Sequence, residues 1–276
     1  MQLQLLSLLS ISLALNAASG LRLPQLKVLA LGDSITFGCG SDAAAPDWFA
    51  CCNSLSGGYR APLWAALNGS AINASILMVG TESNGPSWVP AEQRAHEGHP
   101  GWTITQIRGL QPKWEQLTPD VVLLMAGTND VGQGHLNATM TADMDLLLSS
   151  LNSTLPNARV FVTTLLNLPD SIHPDFAPTI LYYNTVTLPQ LVGKYRGMTL
   201  VDINGATGMC FGPESPLVNL CAVCNGKCGG YNPNSCPPNG YSYCHPTGAG
   251  YSLVAGVWAN SLLPTLAEMA ESRRVD

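Results

Sequence analysis

The stretch LKVLALGDSITFG, residues 26–38, sets the fold. Its first half is almost continuously apolar, which indicates a strand that is covered on both faces of a parallel sheet. Four later stretches have the same character: SILMVG (75–80), DVVLLMAG (120–127), RVFVTTLL (159–166) and MTLVDI (198–203). Because helix-like stretches separate them, the sequence predicts one α/β domain, a three-layer α/β/α sandwich around a five-stranded parallel sheet.

Two of the intervening stretches have apolar residues on one helical face. The first lies in residues 138–151 and the second near the end of the chain. We expect these helices to bury Met140, Met144, Leu147, Leu148 and Leu151 in the first case, and Leu253, Val254, Val257, Trp258 and Leu262 in the second.

The beginning of the chain has the pattern of a secretory signal peptide. An apolar run ends in small residues near Ala18–Gly20, so we predict a signal peptide over residues 1–19 and one domain over residues 20–276. A membrane anchor is the alternative, but the run is shorter than the roughly 20 residues of a spanning helix. We therefore expect a secreted, extracellular protein that does not bind membranes.

Charge and cysteine usage agree with export. Charged residues make up only 11% of the 276-residue chain and its net charge is −6. With no basic patch, nucleic acid is not an expected partner. The nine cysteines predict disulfides in an exported protein. Six of them lie in a Gly/Pro-rich segment that we predict to be an insertion at about residues 204–244. Glycosylation sequons begin at Asn68, Asn73, Asn137 and Asn152.

Four residues are candidates for a catalytic site. Ser34 and Asn129 follow two of the predicted strands, at the sheet edge where open α/β sheets bind ligands. Gly101 lies in EGHPGWTI (97–104), and His245 opens HPTGAGY before the last helix. Each also has an ordinary structural interpretation: a helix cap for Ser34, a turn for Asn129 and Gly101, and a buried or exposed structural histidine for His245.

These motifs resemble those of a known enzyme family. GDSITFG, the glycine of HPGWT, GTND and HPTGAGY occur in the order of the four motif blocks of the SGNH, or GDSL, hydrolases. HEGHPGW further resembles carbohydrate esterase family 3, whose members remove acetyl groups from xylan. The resemblance implies a flavodoxin-like SGNH fold, no cofactor and no metal. It also implies that Ser34 is the nucleophile and His245 the base, with an oxyanion hole formed by the Ser34 N–H, the Gly101 N–H and the Asn129 amide.

Position 242 departs from the family pattern, which usually has an aspartate three residues before the histidine. Here that residue is Ser242. A triad's third member orients the imidazole and stabilises its cation. Three interpretations are open: a backbone carbonyl near residue 242 accepts the His245 N–H, Ser242 accepts it, or a distant carboxylate such as Asp202 or Glu214 does. We favour the first two because they are local.

Together the motifs predict a secreted serine carboxylic-ester hydrolase. The expected substrate is an acetylated polysaccharide such as xylan, or a small ester. The alternatives are a lipase or phospholipase of the same fold and a non-catalytic carbohydrate-binding protein. A protein whose cysteine-rich segment carries an interaction is a further alternative.

Overall fold

The computed structural model of the chain describes residues 23–40, 52, 55, 57–166, 175–207, 245–246 and 248–274. The predicted signal peptide, most of the cysteine-rich segment and Ser242 lie outside these residues. The predicted domain boundaries are therefore not tested and stay predictions.

The predicted parallel sheet is confirmed. Its core is ordered β2-β1-β5-β6-β7, with every neighbouring pair parallel. This is the order of flavodoxin-like doubly wound folds, in which the first strand is central and ligands bind beyond the carboxyl ends of the strands. The strands are β1 (Gln25–Gly32), β2 (Ser75–Val79), β3 (Glu82–Ser83), β4 (Ala95–Gly98), β5 (Val121–Met125), β6 (Arg159–Thr163) and β7 (Met198–Val201).

The expected count of five strands is too low, because β3 and β4 extend the sheet to seven. Strand β4 pairs in parallel with the last two residues of β1, through Leu31↔Glu97 and Gly32↔Gly98, and β3 pairs antiparallel with β4. Both strands are too short to show a periodicity in the sequence. Strand β4 matters for the site because it delivers the segment after Glu97 to the end of β1.

Helices cover both faces of the sheet. Among the described helices, none has the length and apolarity that crossing a membrane requires. A π-helical turn (Tyr183–Thr187) joins α7 to α8, and a 3-10 turn (Ala91–Gln93) precedes β4. The helices are α1 (Ser34–Phe37), α2 (Arg60–Asn68), α3 (Ile104–Arg108), α4 (Gln111–Leu117), α5 (Thr128–Gly132), α6 (Asn137–Thr154), α7 (Phe176–Tyr182), α8 (Leu188–Val192), α9 (Ile203–Thr207) and α10 (Gly248–Ser272).

The three layers follow from alternation of side chains along the buried strands. In β1, Leu29 and Leu31 pack into the core that contains α3, α4, α6 and α8. Val28 and Ala30 pack into the opposite core, with α2 and α10. Successive side chains of a strand point to opposite faces, so a strand that is apolar at every position requires both cores.

The helix predictions hold with one exception. All five residues expected for the helix over 138–151 are buried in α6. In α10, Val254, Trp258 and Leu262 are buried and Val257 packs partly buried against the same core, but Leu253 is 42% exposed, so the expectation for Leu253 is wrong. Each residue of an α-helix is rotated by about 100° about the helix axis from the residue before it. Leu253 therefore points away from the face on which Val254 and Trp258 are buried.

Candidate active site

Ser34 lies where β1 ends and α1 begins. It is the first residue of the four-residue helix α1, a position whose backbone N–H has no acceptor within the helix. Asp33 caps this helix, since its carboxylate accepts the Ile35 N–H at 2.9 Å. Ser34 is therefore held at the carboxyl edge of the sheet with both its hydroxyl and its N–H available to a ligand.

The other end of α1 is held by Arg60. Its guanidinium donates to the Thr36 carbonyl at 2.8 Å and to the Phe37 carbonyl at 3.0 Å. It also donates to the carbonyls of Asn84 and Arg94, at 3.2 and 3.1 Å, and to the Asn84 side chain. Burial lowers the pKa of Arg60 to about 10, so it stays a cation at neutral pH. Nothing in the sequence around Arg60 indicated this role.

His245 contacts Ser34 across 211 positions of sequence. Its Nε2 lies 2.8 Å from the Ser34 hydroxyl oxygen, and the histidine is almost fully buried. This is the distance of a hydrogen bond through which a histidine can take the proton of a serine.

The backbone at Gly40 packs directly against His245. A Cβ at this position would lie 2.2 Å from the His245 Cβ, and Gly40 has a φ of +83°. Both the contact and the left-handed conformation therefore require glycine. The neighbouring residue, Cys39, is bonded to Cys52 by a disulfide, and its carbonyl accepts the Tyr251 hydroxyl at 2.7 Å. Sequence motifs did not identify Gly40, because its partner is distant in the chain.

One of the expected supports for His245 is used elsewhere. Asp202 accepts the Thr164 hydroxyl at 3.0 Å and the Gly205 N–H at 2.8 Å, and it forms no hydrogen bond with His245. The Asp202 interpretation is therefore wrong. The alternatives at residue 242 and at Glu214 fall outside the described residues and stay predictions.

Asp33 is a buried carboxylate whose charge interacts favourably with that of His245. Burial raises the pKa of Asp33 from 3.8 to about 6, although the Ile35 N–H and the His245 charge oppose this rise. The hydrogen bond from the Ile35 N–H gives Asp33 a structural role as the cap of α1. Its charge adds a second role that the sequence did not reveal.

Gly101 occupies a tight turn that β4 leads into. The turn His99–Trp102 is closed by the Trp102 N–H, which donates to the His99 carbonyl at 3.2 Å. Proline followed by a glycine with a φ of +82° is the pattern of a type II turn. The Gly101 N–H has no part in that hydrogen bond. Among the described residues, nothing lies within 4 Å of the position of a Cβ on Gly101, so they leave the space beside it open.

The turn reaches the serine through the sheet. The His99 N–H donates to the Gly32 carbonyl at 2.9 Å, which continues the pairing of β4 with β1. Gly32 is two residues before Ser34. The loop that carries Gly101 is therefore anchored to the strand that carries the serine.

Asn129 is buried in the first turn of α5, directly after β5. Its side-chain amide donates one hydrogen to the Trp102 carbonyl at 2.8 Å. The second amide hydrogen remains for a ligand. Trp102 is half-buried, packs on the apolar core and stacks on His99, which gives it a packing role.

Asp130 follows Asn129 in α5 and contacts residues on other segments. Its carboxylate accepts the Ile104 N–H, 26 residues away, at 2.9 Å and lies 3.1 Å from Nδ1 of His135. Among the described residues, Asp130, His135 and Asp143 each place a possible metal ligand atom within 4.8 Å of the other two. The contact between Asp130 and His135 accounts for their proximity, and we assign no metal.

A serine hydroxyl that is hydrogen-bonded to a buried histidine, at the carboxyl edge of a flavodoxin-like sheet, is the arrangement found in hydrolases with a serine nucleophile. The sequence matches the GDSL-like Lipase/Acylhydrolase family over residues 30–253. This is most of the chain, which therefore belongs to that family. The resemblance deduced from the four motifs is confirmed.

Individual relatives narrow the comparison. A multidomain esterase of Ruminococcus flavefaciens is 31% identical over 189 residues, which are 60% of this chain but only 22% of that protein. The family 3 carbohydrate esterase of Clostridium thermocellum has a TM-score of 0.63 at 23% identity, over 89% of this chain and 99% of that one. The family 3 esterase of Talaromyces cellulolyticus has a TM-score of 0.63 at 21% identity, over 88% and 99%. At these identities the structural matches establish the fold.

Proposed function

We propose that the protein is a secreted serine esterase that removes acetyl groups from a polysaccharide such as xylan. The observation that carries the proposal is the 2.8 Å contact between Nε2 of His245 and the hydroxyl of Ser34. Membership of an acylhydrolase family supports the reaction class.

The reaction follows from this contact. His245 takes the Ser34 proton as the serine oxygen forms a bond to the ester carbonyl carbon. The tetrahedral intermediate collapses, the bond to the sugar oxygen breaks, and His245 returns the proton to that oxygen. Water then attacks the acetyl-serine with His245 again as base, which releases acetate and restores the Ser34 hydroxyl.

The negative oxygen of each intermediate is held by three donors in this proposal. They are the backbone N–H groups of Ser34 and Gly101 and the free amide hydrogen of Asn129. Donors of this kind act mainly in the transition state, and removal of one typically costs about 10² to 10³ in turnover.

The substrate proposal rests on similarity and on surface features. The chain's structural neighbours include two family 3 carbohydrate esterases, and its relative is a multidomain esterase. Asn68, Asn73 and Asn152 are exposed, as glycan attachment during export would require, and a disulfide joins Cys39 to Cys52. The open space beside Gly101 supports access of an ester to the turn.

The proposal is tested by hydrolysis of p-nitrophenyl acetate with the wild type and Ser34→Ala. We expect the variant to lose about 10⁴-fold or more in kcat, because the nucleophile is gone. Ser252→Ala is a matched control, since Ser252 lies exposed on α10 and bonds only the Gly248 carbonyl. Equal rates for wild type and Ser34→Ala would overturn the proposal.

The substrate is tested by acetate release from acetylated xylan, together with p-nitrophenyl esters of increasing chain length. We expect acetate release and a steep fall in rate from acetyl to longer acyl groups. Rates that rise with chain length would point to a lipase instead. A wild type that binds xylan but hydrolyses nothing would be a carbohydrate-binding protein.

A further inference from the structure

Three residues beside the candidate oxyanion hole have no part in the reaction described above. Glu97 is the third residue of β4, and His99 and Trp102 are the first and last residues of the turn that contains Gly101. Their contacts form a continuous path from the sheet to Asn129.

The path begins at Glu97, which is fully buried. One carboxylate oxygen accepts the Thr81 N–H, and the other lies 2.8 Å from Nε2 of His99. Burial by itself raises the pKa of Glu97, but the hydrogen bonds from His99 and Thr81 outweigh it and the pKa lies below 4.5. Glu97 is thus an anion at neutral pH. Because a carboxylate only accepts, Nε2 of His99 must carry the donated proton.

The second contact is a stack of two rings. The His99 ring lies 4.2 Å from the Trp102 ring, with 20° between the planes. The same two residues close the turn through their backbones. The orientation of the His99 ring, which Glu97 fixes, therefore limits where Trp102 can lie.

The third contact reaches the oxyanion donor. The Trp102 carbonyl accepts one hydrogen of the Asn129 amide at 2.8 Å. The two N–H bonds of an amide group lie in one plane at a fixed angle, so a constraint on one of them restricts the directions open to the other. Movement of Trp102 would rotate the donor that Asn129 offers to substrate.

We propose that Glu97 and His99 are positioning residues of the oxyanion hole, acting through Trp102 on Asn129 and on the Gly101 turn. The proposal rests on the function proposed above. Neither residue touches the reacting atoms. Their effect falls on kcat rather than on KM, because the oxyanion is absent from the bound ester and develops only as the tetrahedral intermediate forms.

A double-mutant cycle tests the proposed path. Glu97→Gln keeps the shape of the side chain and an acceptor for Thr81, but removes the charge that holds His99. We expect kcat for p-nitrophenyl acetate to fall about tenfold with KM nearly unchanged, because misplacement by about 1 Å costs up to 10². In the Asn129→Ala background the same change should have little further effect, because the residue it positions is gone.

Glu82→Gln is the matched control. Glu82 lies on the adjacent strand β3, opposite His96, and takes no part in the path. We expect its kcat and KM to equal those of the wild type. Thermal unfolding of each variant separates loss of fold from loss of positioning.

Two substitutions of His99 divide the path into its links. His99→Gln keeps a donor near the position of Nε2 but removes the ring that stacks on Trp102. His99→Phe keeps a ring and removes the donor to Glu97. If both links matter, each variant loses kcat, and each loss shrinks in the Asn129→Ala background.

Three results overturn the inference. The first is a Glu97→Gln variant with wild-type kcat while Ser34→Ala is inactive. The second is a loss in Glu97→Gln that is equally large with and without Asn129, which would indicate general destabilisation. The third is a wild type no faster than Ser34→Ala, in which case the proposed function itself fails and the inference fails with it.

Discussion

Asn129 is held by a series of contacts that starts at Glu97 in strand β4 and runs through His99 and Trp102. His245, in contrast, packs against Gly40, which is distant from it in the sequence. We refer to Glu97, His99, Trp102 and Asn129 as the oxyanion side. The histidine side is Cys39, Gly40, Tyr251 and His245. Most of the oxyanion side comes from one short segment, residues 97–102, that is paired to β1. The histidine side joins residues more than 200 positions apart.

This difference has a physical consequence. Most contacts of the oxyanion side lie within one segment that pairs with the sheet, and one further hydrogen bond joins this segment to Asn129. The histidine side depends on the packing of a loop against α10 and on a covalent bond. We therefore expect the histidine side to be sensitive to small changes in loop shape and to reducing conditions, and the oxyanion side to be insensitive to both.

Among substitutions that test this difference, Gly40→Ala on the histidine side is expected to lower activity most. The added methyl group would lie 2.2 Å from the His245 Cβ, so His245 must move away from Ser34. We expect a loss of about 10²-fold in kcat for p-nitrophenyl acetate.

Gly134→Ala is its control. Gly134 also has a positive φ, +75°, but no residue that the structure describes lies within 4 Å of its Cβ position. Both variants incur the same backbone cost of about 1–2 kcal/mol, and only Gly40→Ala should lose activity. Equal losses in the two variants would mean that backbone strain, not contact with His245, explains the requirement for glycine.

A smaller effect is expected from removal of the disulfide in Cys52→Ala. The bond closes a loop across 13 positions of sequence. A disulfide that closes a loop of this size typically contributes about 3 kcal/mol to the free energy of unfolding, so the melting temperature should fall by several degrees. We also expect kcat to fall about fivefold, because Cys39 adjoins the glycine that contacts His245.

Reductant provides the check on this prediction. Dithiothreitol should lower the melting temperature and kcat of the wild type toward those of Cys52→Ala. It should leave the variant less affected than the wild type. A wild type whose activity is indifferent to reductant would show that the histidine side does not need its covalent bond.

The smallest effect on catalysis is expected from Asp33→Asn. The pKa of Asp33 is raised in the folded protein from 3.8 to about 6, so the folded state binds more protons than the unfolded state between these values. The contribution of Asp33 to stability therefore falls as pH rises from about 4 to 6, by up to about 3 kcal/mol. Asp33→Asn has no buried carboxylate to ionise. The variant should therefore be more stable than the wild type at pH 7 and about as stable near pH 4.

Catalysis should change in the opposite direction. Loss of the Asp33 charge removes an interaction that favours the His245 cation, and we expect kcat at pH 7 to fall about threefold. Urea unfolding at pH 4 and 7 and initial rates at pH 7 measure the two effects. Asp145→Asn is a control of opposite sign in stability, because the Lys194 hydrogen bond lowers the pKa of Asp145. Lower stability of Asp33→Asn at pH 7 would contradict the prediction.

The sequence predicted those features that depend on local pattern. The five main parallel strands and the stripe of α6 could be identified because burial on one or both faces leaves a pattern of apolar residues. Ser34 and Asn129 were identifiable as candidates because each follows such a strand. The structure brings Ser34 and His245 together and ties the loop of Gly101 to Asn129, while Ser242 lies outside the described residues.

Features that arise from tertiary contact could not be predicted. Strands β3 and β4 are too short for a periodic signal, and Leu253 differs from its buried neighbour Val254 by a single helical step. Gly40 had no signal because its requirement comes from His245. For Glu97 and His99 the signal was the motif HEGHPGW itself, but the pattern does not reveal which ring the carboxylate holds.

Arg60 has a consequence for how this chain can change over evolution. Its guanidinium reaches carbonyls in two separate segments, Thr36–Phe37 at the end of α1 and the pair Asn84 and Arg94. Lysine has three donors on one atom and cannot span acceptors on opposite sides of a planar group. An Arg60→Lys substitution, the conservative change at this position, would therefore release the last residues of α1. Ser34 is the first residue of that helix. Arginine is therefore constrained at position 60, the first residue of α2, by the geometry of the segment that carries Ser34.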